Sequence, residues 1–332
     1  MAGPPAVARV LERVTATARE HEMFLPGDDV LVAVSGGPDS LCLLHSLHRL
    51  RRLLRIRLQV FHYNHRLRSD SAADATYVRR ISDRLGAAFH LVVADSKPPK
   101  GESIEAWARG VRLRAQHAVA LDLGIRRIAE GHTVDDQAET VLLALIRGGG
   151  LPSMTGIRPT LGYEVQPLLD VTRQEVESFC RALRLRPRMD PTNKNTRFQR
   201  NAVRLRVLPA IERAVGRDVR PTLARTATLL RADEEELRRQ ASAATDEIVE
   251  ESADGIEIQA TALTTLSPAL AGRVVRQAML AAGVVPTEEA IEGVVDLAEG
   301  RPGRRRDLPD GLKARRERRY VLLSRSSHGG EP

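Results

Sequence analysis

Five consecutive apolar residues, Val30 to Val34, run directly into Ser35-Gly36-Gly37-Pro38-Asp39-Ser40, and a helical apolar pattern begins at Leu41. An unbroken apolar run of this length, bounded by turn residues, is a strand buried on both faces. Two adjacent glycines allow the chain to turn tightly with its N–H groups inward. The following helix adds unbonded N–H groups, and Ser35 and Ser40 add hydroxyls. Together they make a cradle for phosphate or pyrophosphate. Asp39 would repel a bare phosphate, so its presence implies an intervening Mg²⁺. The loop lacks the lysine of GxxxxGK[ST] and the spacing of GxGxxG. An ordinary strand-to-helix turn is the plainer alternative; the serines and the aspartate at these positions argue against it.

The same alternation continues along the chain. Strands are expected at Ile56–His62, Phe89–Val93 and Ile125–Glu130, with helices near 6–24, 41–53, 70–85, 103–121 and 135–147. This spacing predicts an α/β fold: a parallel sheet with helices on both faces and its ligand at the carboxyl ends of the strands. Past 165 the pattern changes. A short extended segment is expected at Pro167–Leu169, then helices near 173–183, 205–216, 219–248, 266–282 and 286–298. The segment 301–323 reads as a β-hairpin turning at Pro309-Asp310-Gly311. The expected organisation is a catalytic domain over 1–215, a mostly helical second domain ending in a basic hairpin over 216–325, and a disordered tail over 326–332.

Charge and cysteine content narrow the partners. The chain has 332 residues and a net charge of +8, and only four of its 51 basic residues are lysines. Arginine favours bidentate phosphate contacts, although genome composition would produce the same bias. No stretch approaches the ~20 apolar residues that span a bilayer, and the N-terminus shows no signal-peptide core. The two cysteines, Cys42 and Cys180, are far apart, so no CxxC pair offers a cluster or zinc site. The expectation is a cytoplasmic protein without a membrane partner.

Further motifs follow in a fixed order. They are His62-Tyr63-Asn64-His65-Arg66-Leu67-Arg68, Glu102 to Arg109, and Gly131-His132-Thr133-Val134-Asp135-Asp136-Gln137-Ala138-Glu139-Thr140. After these come Arg147-Gly148-Gly149-Gly150, Pro167-Leu168-Leu169, and Asp190-Pro191-Thr192-Asn193 with Phe198 to Arg204. The loop at 35–40 resembles the PP-loop of N-type ATP pyrophosphatases. With the other motifs, residues 29–209 resemble the tRNA(Ile)-lysidine synthetase family. Asn64 and Arg66 depart from its usual HxxHxLR pattern, Leu151 to Gly156 is a modest variant, and the chain resembles a short form of the family.

The resemblance implies an ATP-dependent ligase forming a carbon–nitrogen bond. Such an enzyme adenylates O2 of the wobble cytidine, C34, in a tRNA(Ile) with a CAU anticodon and releases pyrophosphate. The ε-amine of free L-lysine then attacks C2, AMP leaves, and codon specificity moves from AUG to AUA. The implied catalytic residues are Asp39, Asp136 and Glu139. ATP would lie on Ser35, Gly36, Gly37, Pro38, Asp39, Ser40 and His132, with Asp39 on Mg²⁺ and Asp136 and Glu139 on lysine. Asp136 and Glu139 are three apart and share a helix face. Capping of the helix start by these acids, or by Asp135, is the alternative. Arg109, Arg112, Arg197, Arg200 and Arg204 are candidates for phosphate or tRNA contact, or for a solvated surface. His132 either touches nucleotide or holds its loop. His62 and His65 are close enough for a metal, but no cysteine ligands accompany them.

A tRNA needs a basic surface. Residues 301–320 carry nine basic side chains against three acidic ones, among them Arg304, Arg305, Arg306, Arg315, Arg316, Arg318 and Arg319. Strand alternation is expected to put many of them on one face. Two other readings remain open: a PP-loop tRNA thiolase, disfavoured because both cysteines sit in apolar helical patterns, and a non-catalytic RNA-binding protein. The oligomeric state is also open, a homodimer among the options.

Overall fold

The computed structural model describes residues 4–66, 71–96, 98–99, 104–188, 196 and 198–325. The Asp190–Asn193 turn, Arg197, Leu67, Arg68, Glu102, Ser103 and the tail 326–332 lie outside them. The chain forms two compact units, Met1–Leu230 and Arg231–Pro332.

The first unit runs α1 (Pro5–Glu20), β1 (Asp29–Ala33), α2 (Pro38–Leu54), β2 (Arg57–Asn64), α3 (Ser71–Leu85), β3 (Ala88–Val93), α4 (Ile104–Asp122), β4 (Arg127–Ala129), α5 (Val134–Ile146), α6 (Leu151–Met154), β5 (Thr160–Leu161), β6 (Glu164–Val165), α7 (Arg173–Ala182), α8 (Gln199–Ala202) and α9 (Leu208–Val215). The strand order is β3-β2-β1-β4-β6-β5. All neighbours are parallel except the β5–β6 pair at the edge. Pleating sends alternate side chains of β1 to opposite faces. Val30 and Val32 join one core with Val10 and Val14 of α1, Leu44 of α2, Val78 of α3 and Phe179 of α7. Leu31 joins the other with Phe61, Ile128 and Ala120 of α4. The sheet is therefore covered on both sides, as its continuous apolar strands require.

Two local expectations change. Pro167–Leu169 is a turn, not an extended segment. The parallel strand there is β6, two residues earlier. Pro167 has no N–H for a ladder, and Leu169 N–H and Val171 N–H instead close turns onto Gln166 and Leu168 carbonyls. The helix expected from 205 begins at Gln199 and passes through a π-helical stretch, Val203–Val207, before α9. Leu208 N–H bonds to the Val203 carbonyl, and Pro209, lacking an N–H, follows directly. A widened turn before proline avoids the clash that a regular helix would meet there.

The long α10 (Arg220–Ile248) leads into the second unit. That unit contains β7 (Val249–Ser252), β8 (Gly255–Gln259), α11 (Ala260–Thr265), α12 (Pro268–Ala281), α13 (Glu288–Glu299), β9 (Arg305–Asp307), β10 (Leu312–Arg316) and β11 (Tyr320–Arg325). The expected turn at 309–311 joins β9 to β10. These strands belong to a five-stranded antiparallel sheet, β7-β8-β11-β10-β9, rather than to an isolated hairpin. Ile256 and Ile258 of β8 and Val321 and Leu323 of β11 bury against Val274, Val275 and Met279 of α12 and Val294 of α13.

Gly255 sits in the β7–β8 turn at φ +138°, and a Cβ there would stand 2.2 Å from the Leu323 carbonyl oxygen. Both the backbone and its neighbour therefore require glycine. Gly255→Ala is expected to destabilise the second unit by about 1–3 kcal/mol. Thermal unfolding should show the second unit melting earlier while the first is unmoved; an unchanged transition would refute the assignment.

Candidate active site

The phosphate loop is braced from within. Gly36 lies at φ +92°, a left-handed conformation that favours glycine. Its N–H donates to Ser40 Oγ at 3.2 Å, Gly37 N–H donates to Ser35 Oγ at 3.3 Å, and Ser40 Oγ donates to the Gly37 carbonyl at 3.0 Å. The two serines thus hold the loop's shape as well as lining it. Pro38 opens α2 with the φ a helix needs. Asp39 and Ser40 follow in the first turn, where N–H groups have no acceptor within the helix. Gly131, in the β4–α5 loop, would place a Cβ 3.2 Å from the Asp39 carbonyl, so a larger residue there would push the start of α2 by a few tenths of an ångström.

A cavity of about 480 Å³ opens over this loop. Its floor is Ser35 and Gly37 to Ser40, one wall is the end of β2 and the two residues after it, His62 to Arg66, and the other includes Arg112, Glu130, His132 and Asp136. Asp74 and Arg188 close a further side. It lies at the carboxyl ends of β1, β2 and β4, where the strand order reverses around β1.

Three carboxylates converge beside it. Burial pushes the Asp39 carboxyl up to about 6 against the pull of Arg173, whose guanidinium is 3.6 Å away. Asp39 Oδ1 is buried and has no hydrogen-bond partner among the described residues. Asp136 is held oppositely. Burial alone would raise it, but Arg200, His132, Arg173 and Arg204 outweigh that and bring it to about 2. Its Oδ2 accepts from Thr133 N–H at 2.9 Å and Thr133 Oγ at 2.8 Å, completing a capping box for α5. Its Oδ1 faces Arg200 at 3.1 Å and Arg204 at 3.2 Å. Glu139, only 1% exposed, accepts from Arg200 Nε at 2.9 Å and from Arg204 Nε at 2.5 Å. Asp136 and Glu139 do share a face, and Asp136 also serves as the cap. Asp135 caps another helix: it accepts from Arg173 N–H at the start of α7 and pairs with Arg220 at 3.2 Å.

The remaining candidates separate. His132 Nδ1 donates to Gln166 Oε1 at 2.8 Å and its ring lines the cavity. Arg112 lines the cavity too, bonded to Glu130 at 3.2 Å; Arg109 lies exposed one turn earlier. His62 is buried with Nδ1 donating to the Val34 carbonyl at 2.7 Å, a structural bond. Among the described residues no group of three or more His, Cys, Asp or Glu side chains gathers as a metal site. A Mg²⁺ bound by one carboxylate and substrate phosphates needs no such group, and the unpartnered Asp39 oxygen fits that mode.

Sequence reasoning missed three members. Arg173 faces both Asp39 and Asp136. Its position four residues past Leu169 was the available signal. Glu130, the last residue of the apolar strand segment, is buried. Burial would raise its pKa, but Arg112, His132 and Gln116 prevail and hold it below the usual range. Arg188 had no local signal. In the second unit Arg304, Arg305, Arg315, Arg318 and Arg319 are exposed and Arg306 is half-buried beside Glu289. Arg316 is buried, its Nε donating to the Ala298 carbonyl at 3.1 Å near the end of α13, a stabilising place for a cation. Cys42 and Cys180 are both buried free thiols whose pKa burial raises, Cys180 to about 12. Neither is poised as a thiolate. No helix among the described residues is long and apolar enough to cross a membrane.

The loop, sheet order and cavity define an ATP-using enzyme of the PP-loop class, and a PP-loop domain model matches residues 8–211. The TilS substrate-binding domain model matches residues 259–322. The tRNA(Ile)-lysidine synthase of Symbiobacterium thermophilum is 38% identical over 323 residues, covering 92% of this chain and 67% of that protein. The same enzyme of Dehalococcoides mccartyi is 34% identical over 328 residues, covering 94% and 69%. The chain belongs to the tRNA(Ile)-lysidine synthase family and spans about two thirds of the length of these relatives. The U34-tRNA thiolase NcsA of Methanococcus maripaludis, solved with its [4Fe-4S] cluster, shares the fold: TM-score 0.57 and 16% identity over 68% of this chain and 80% of that one.

Asp39 offers a test of the site's electrostatics. Its carboxyl is neutral in the folded chain up to about pH 6 but ionises near 3.8 when unfolded. The fold therefore carries no penalty below pH 4, and the penalty is complete above 6. Asp39→Asn is expected to gain about 1–3 kcal/mol at pH 7 and nothing at pH 3.5, while losing ATP turnover. Denaturant titrations at the two pH values check this; equal effects at both would refute it.

Proposed function

We propose that this chain joins L-lysine to C2 of cytidine 34 in a tRNA(Ile) with a CAU anticodon, using ATP. Membership of the lysidine synthase family carries this reading, and the meeting of a phosphate loop with buried carboxylates in one cavity supports it.

The loop N–H groups and the start of α2 bind the triphosphate. Asp39 holds Mg²⁺ through its unpartnered oxygen; the ion, when bound, offsets phosphate charge. O2 of the cytidine attacks the α-phosphorus and pyrophosphate leaves, turning a poor leaving group into AMP. The ε-amine of lysine, in its neutral form, then attacks C2, the C2–O bond breaks with AMP leaving, and the proton released from nitrogen passes to water. His132, held by Gln166, lies where it can orient nucleotide. Asp136 and Glu139 hold the lysine ammonium. They are already a cation site, filled by Arg200 and Arg204, and an ammonium takes the place of one guanidinium. The exposed arginines Arg304, Arg305, Arg315, Arg318 and Arg319 supply phosphate contacts to the tRNA. The thiolase alternative has only a shared fold behind it, and the buried thiols oppose it.

Incubation with ATP, Mg²⁺, radiolabelled lysine and tRNA(Ile) bearing CAU should transfer label to the tRNA and release pyrophosphate. No transfer would overturn the reading. For the lysine site, Glu139→Gln is preferable to Asp136→Ala because Asp136 also caps α5. It is expected to raise the lysine KM roughly tenfold or more, the loss of one charge-assisted bond, with ATP affinity little changed. Loss of ATP affinity with lysine unaffected would reverse the assignment.

A further inference from the structure

The phosphate loop contains one acid and no base, yet its ligand is a polyanion. Cations must therefore reach the triphosphate from elsewhere in the cavity. Arg200 and Arg204 are hydrogen-bonded to Asp136 and Glu139, and Arg173, 3.6 Å from Asp39 and 3.9 Å from Asp136, is not among the described residues that line the cavity. Of the three described arginines lining the cavity, Arg112 is bonded to the buried Glu130 and Arg66 is exposed at the end of β2. The third is Arg188.

Arg188 is tied to the loop itself. Its backbone N–H donates to the Gly36 carbonyl at 2.9 Å. Its Cβ is 3.8 Å from where a side chain on Gly36 would begin, and its carbonyl 3.9 Å from the same point on Gly37. Tyr77 of α3 fixes the segment a second time. The Tyr77 hydroxyl donates to the Arg186 carbonyl at 2.5 Å, and the Arg188 guanidinium lies over the Tyr77 ring, 5.4 Å from its centroid. Among the described residues the carboxylate paired with it is Asp74, 3.7 Å from Nε, too long for a charge-assisted hydrogen bond. The side chain remains 49% exposed. The backbone is anchored against the phosphate loop while the charge stays available to a ligand.

We propose that Arg188 binds the β- and γ-phosphates of ATP and retains the departing pyrophosphate, doing from a distant segment what a lysine does within a Walker loop. Its guanidinium presents paired N–H donors suited to phosphate oxygens, and its tie to Gly36 couples the loop's position to that of the charge. The proposal rests on the nucleotide reading of the cavity.

Calorimetric titration of wild type, Arg188→Ala and Arg188→Lys with ATP–Mg²⁺, pyrophosphate–Mg²⁺ and AMP tests it. Arg188→Ala should weaken ATP and pyrophosphate about 10–100-fold and AMP by no more than about twofold; Arg188→Lys should recover part of the loss. An equal loss for ATP and AMP, or no loss for either, would overturn it. Should Arg188→Ala fail to fold, Arg188→Gln against Arg188→Lys makes the same comparison. Failure of the wild type to bind ATP would defeat the nucleotide reading instead, so the two failures are distinguishable.

Discussion

Three carboxylates, Asp39, Asp136 and Glu139, are forced together where β1 and β4 end, and their mutual repulsion has to be met. An ionised group taken from water costs several kcal/mol unless it is paired. Here Arg173, Arg200 and Arg204 answer it, reaching in from α7, α8 and the π-helical stretch that follows. That neutralisation ties α8 and the π-helical stretch to α5, more than sixty residues earlier. The two ends of the cluster are balanced differently. Asp136, met by several cations, stays ionised in acid; at Asp39 burial outweighs Arg173 and Arg204, and it keeps its proton to about 6. A carboxylate left short of positive charge is suited to take a metal, whereas one oversupplied with guanidinium is suited to exchange cations.

The same economy of charge runs through the cavity. Glu130 is buried and fully engaged, which fixes Arg112, Gln116 and Gln166 around it; Gln166 in turn fixes His132. Such a network sets side chains before a substrate arrives, so less ordering has to be done on binding. The second unit uses its arginines differently. Strand alternation in β10 leaves Lys313 and Arg315 outside and takes Leu312, Ala314 and Arg316 inside. One basic run therefore yields both a surface and a helix-end contact.

Much of the fold could be read locally. Val30–Val34 and the glycine pair that follows specify a buried strand and a phosphate turn through contiguous residues, and the Asp135-Asp136 start of α5 through its capping pattern. What escaped was equally specific. The hairpin of β7 and β8 follows directly on a long helix, and its Asp254-Gly255 turn with Ile256 and Ile258 in alternation was the signal for it. β5 and β6 are two residues each, too short for periodicity to register. The buried role of Arg316 had a pattern behind it, since Leu312, Ala314 and Arg316 alternate, but a charged residue on the inner face needs the α13 carbonyl of Ala298 to be tolerated.

The residues of the phosphate loop, the order of the motifs and the family they define follow from the sequence by itself, because each is a property of neighbouring residues. Which cation meets which acid was decided only by tertiary structure. Arg200 and Arg204 carry no mark that distinguishes a phosphate ligand from a partner of Glu139. Arg188 carries none that distinguishes a surface arginine from one bonded through its backbone to Gly36. Electrostatic pairing depends on distance in space and on burial, and for side chains 60 to 150 residues apart neither exists until the sheet has brought them together.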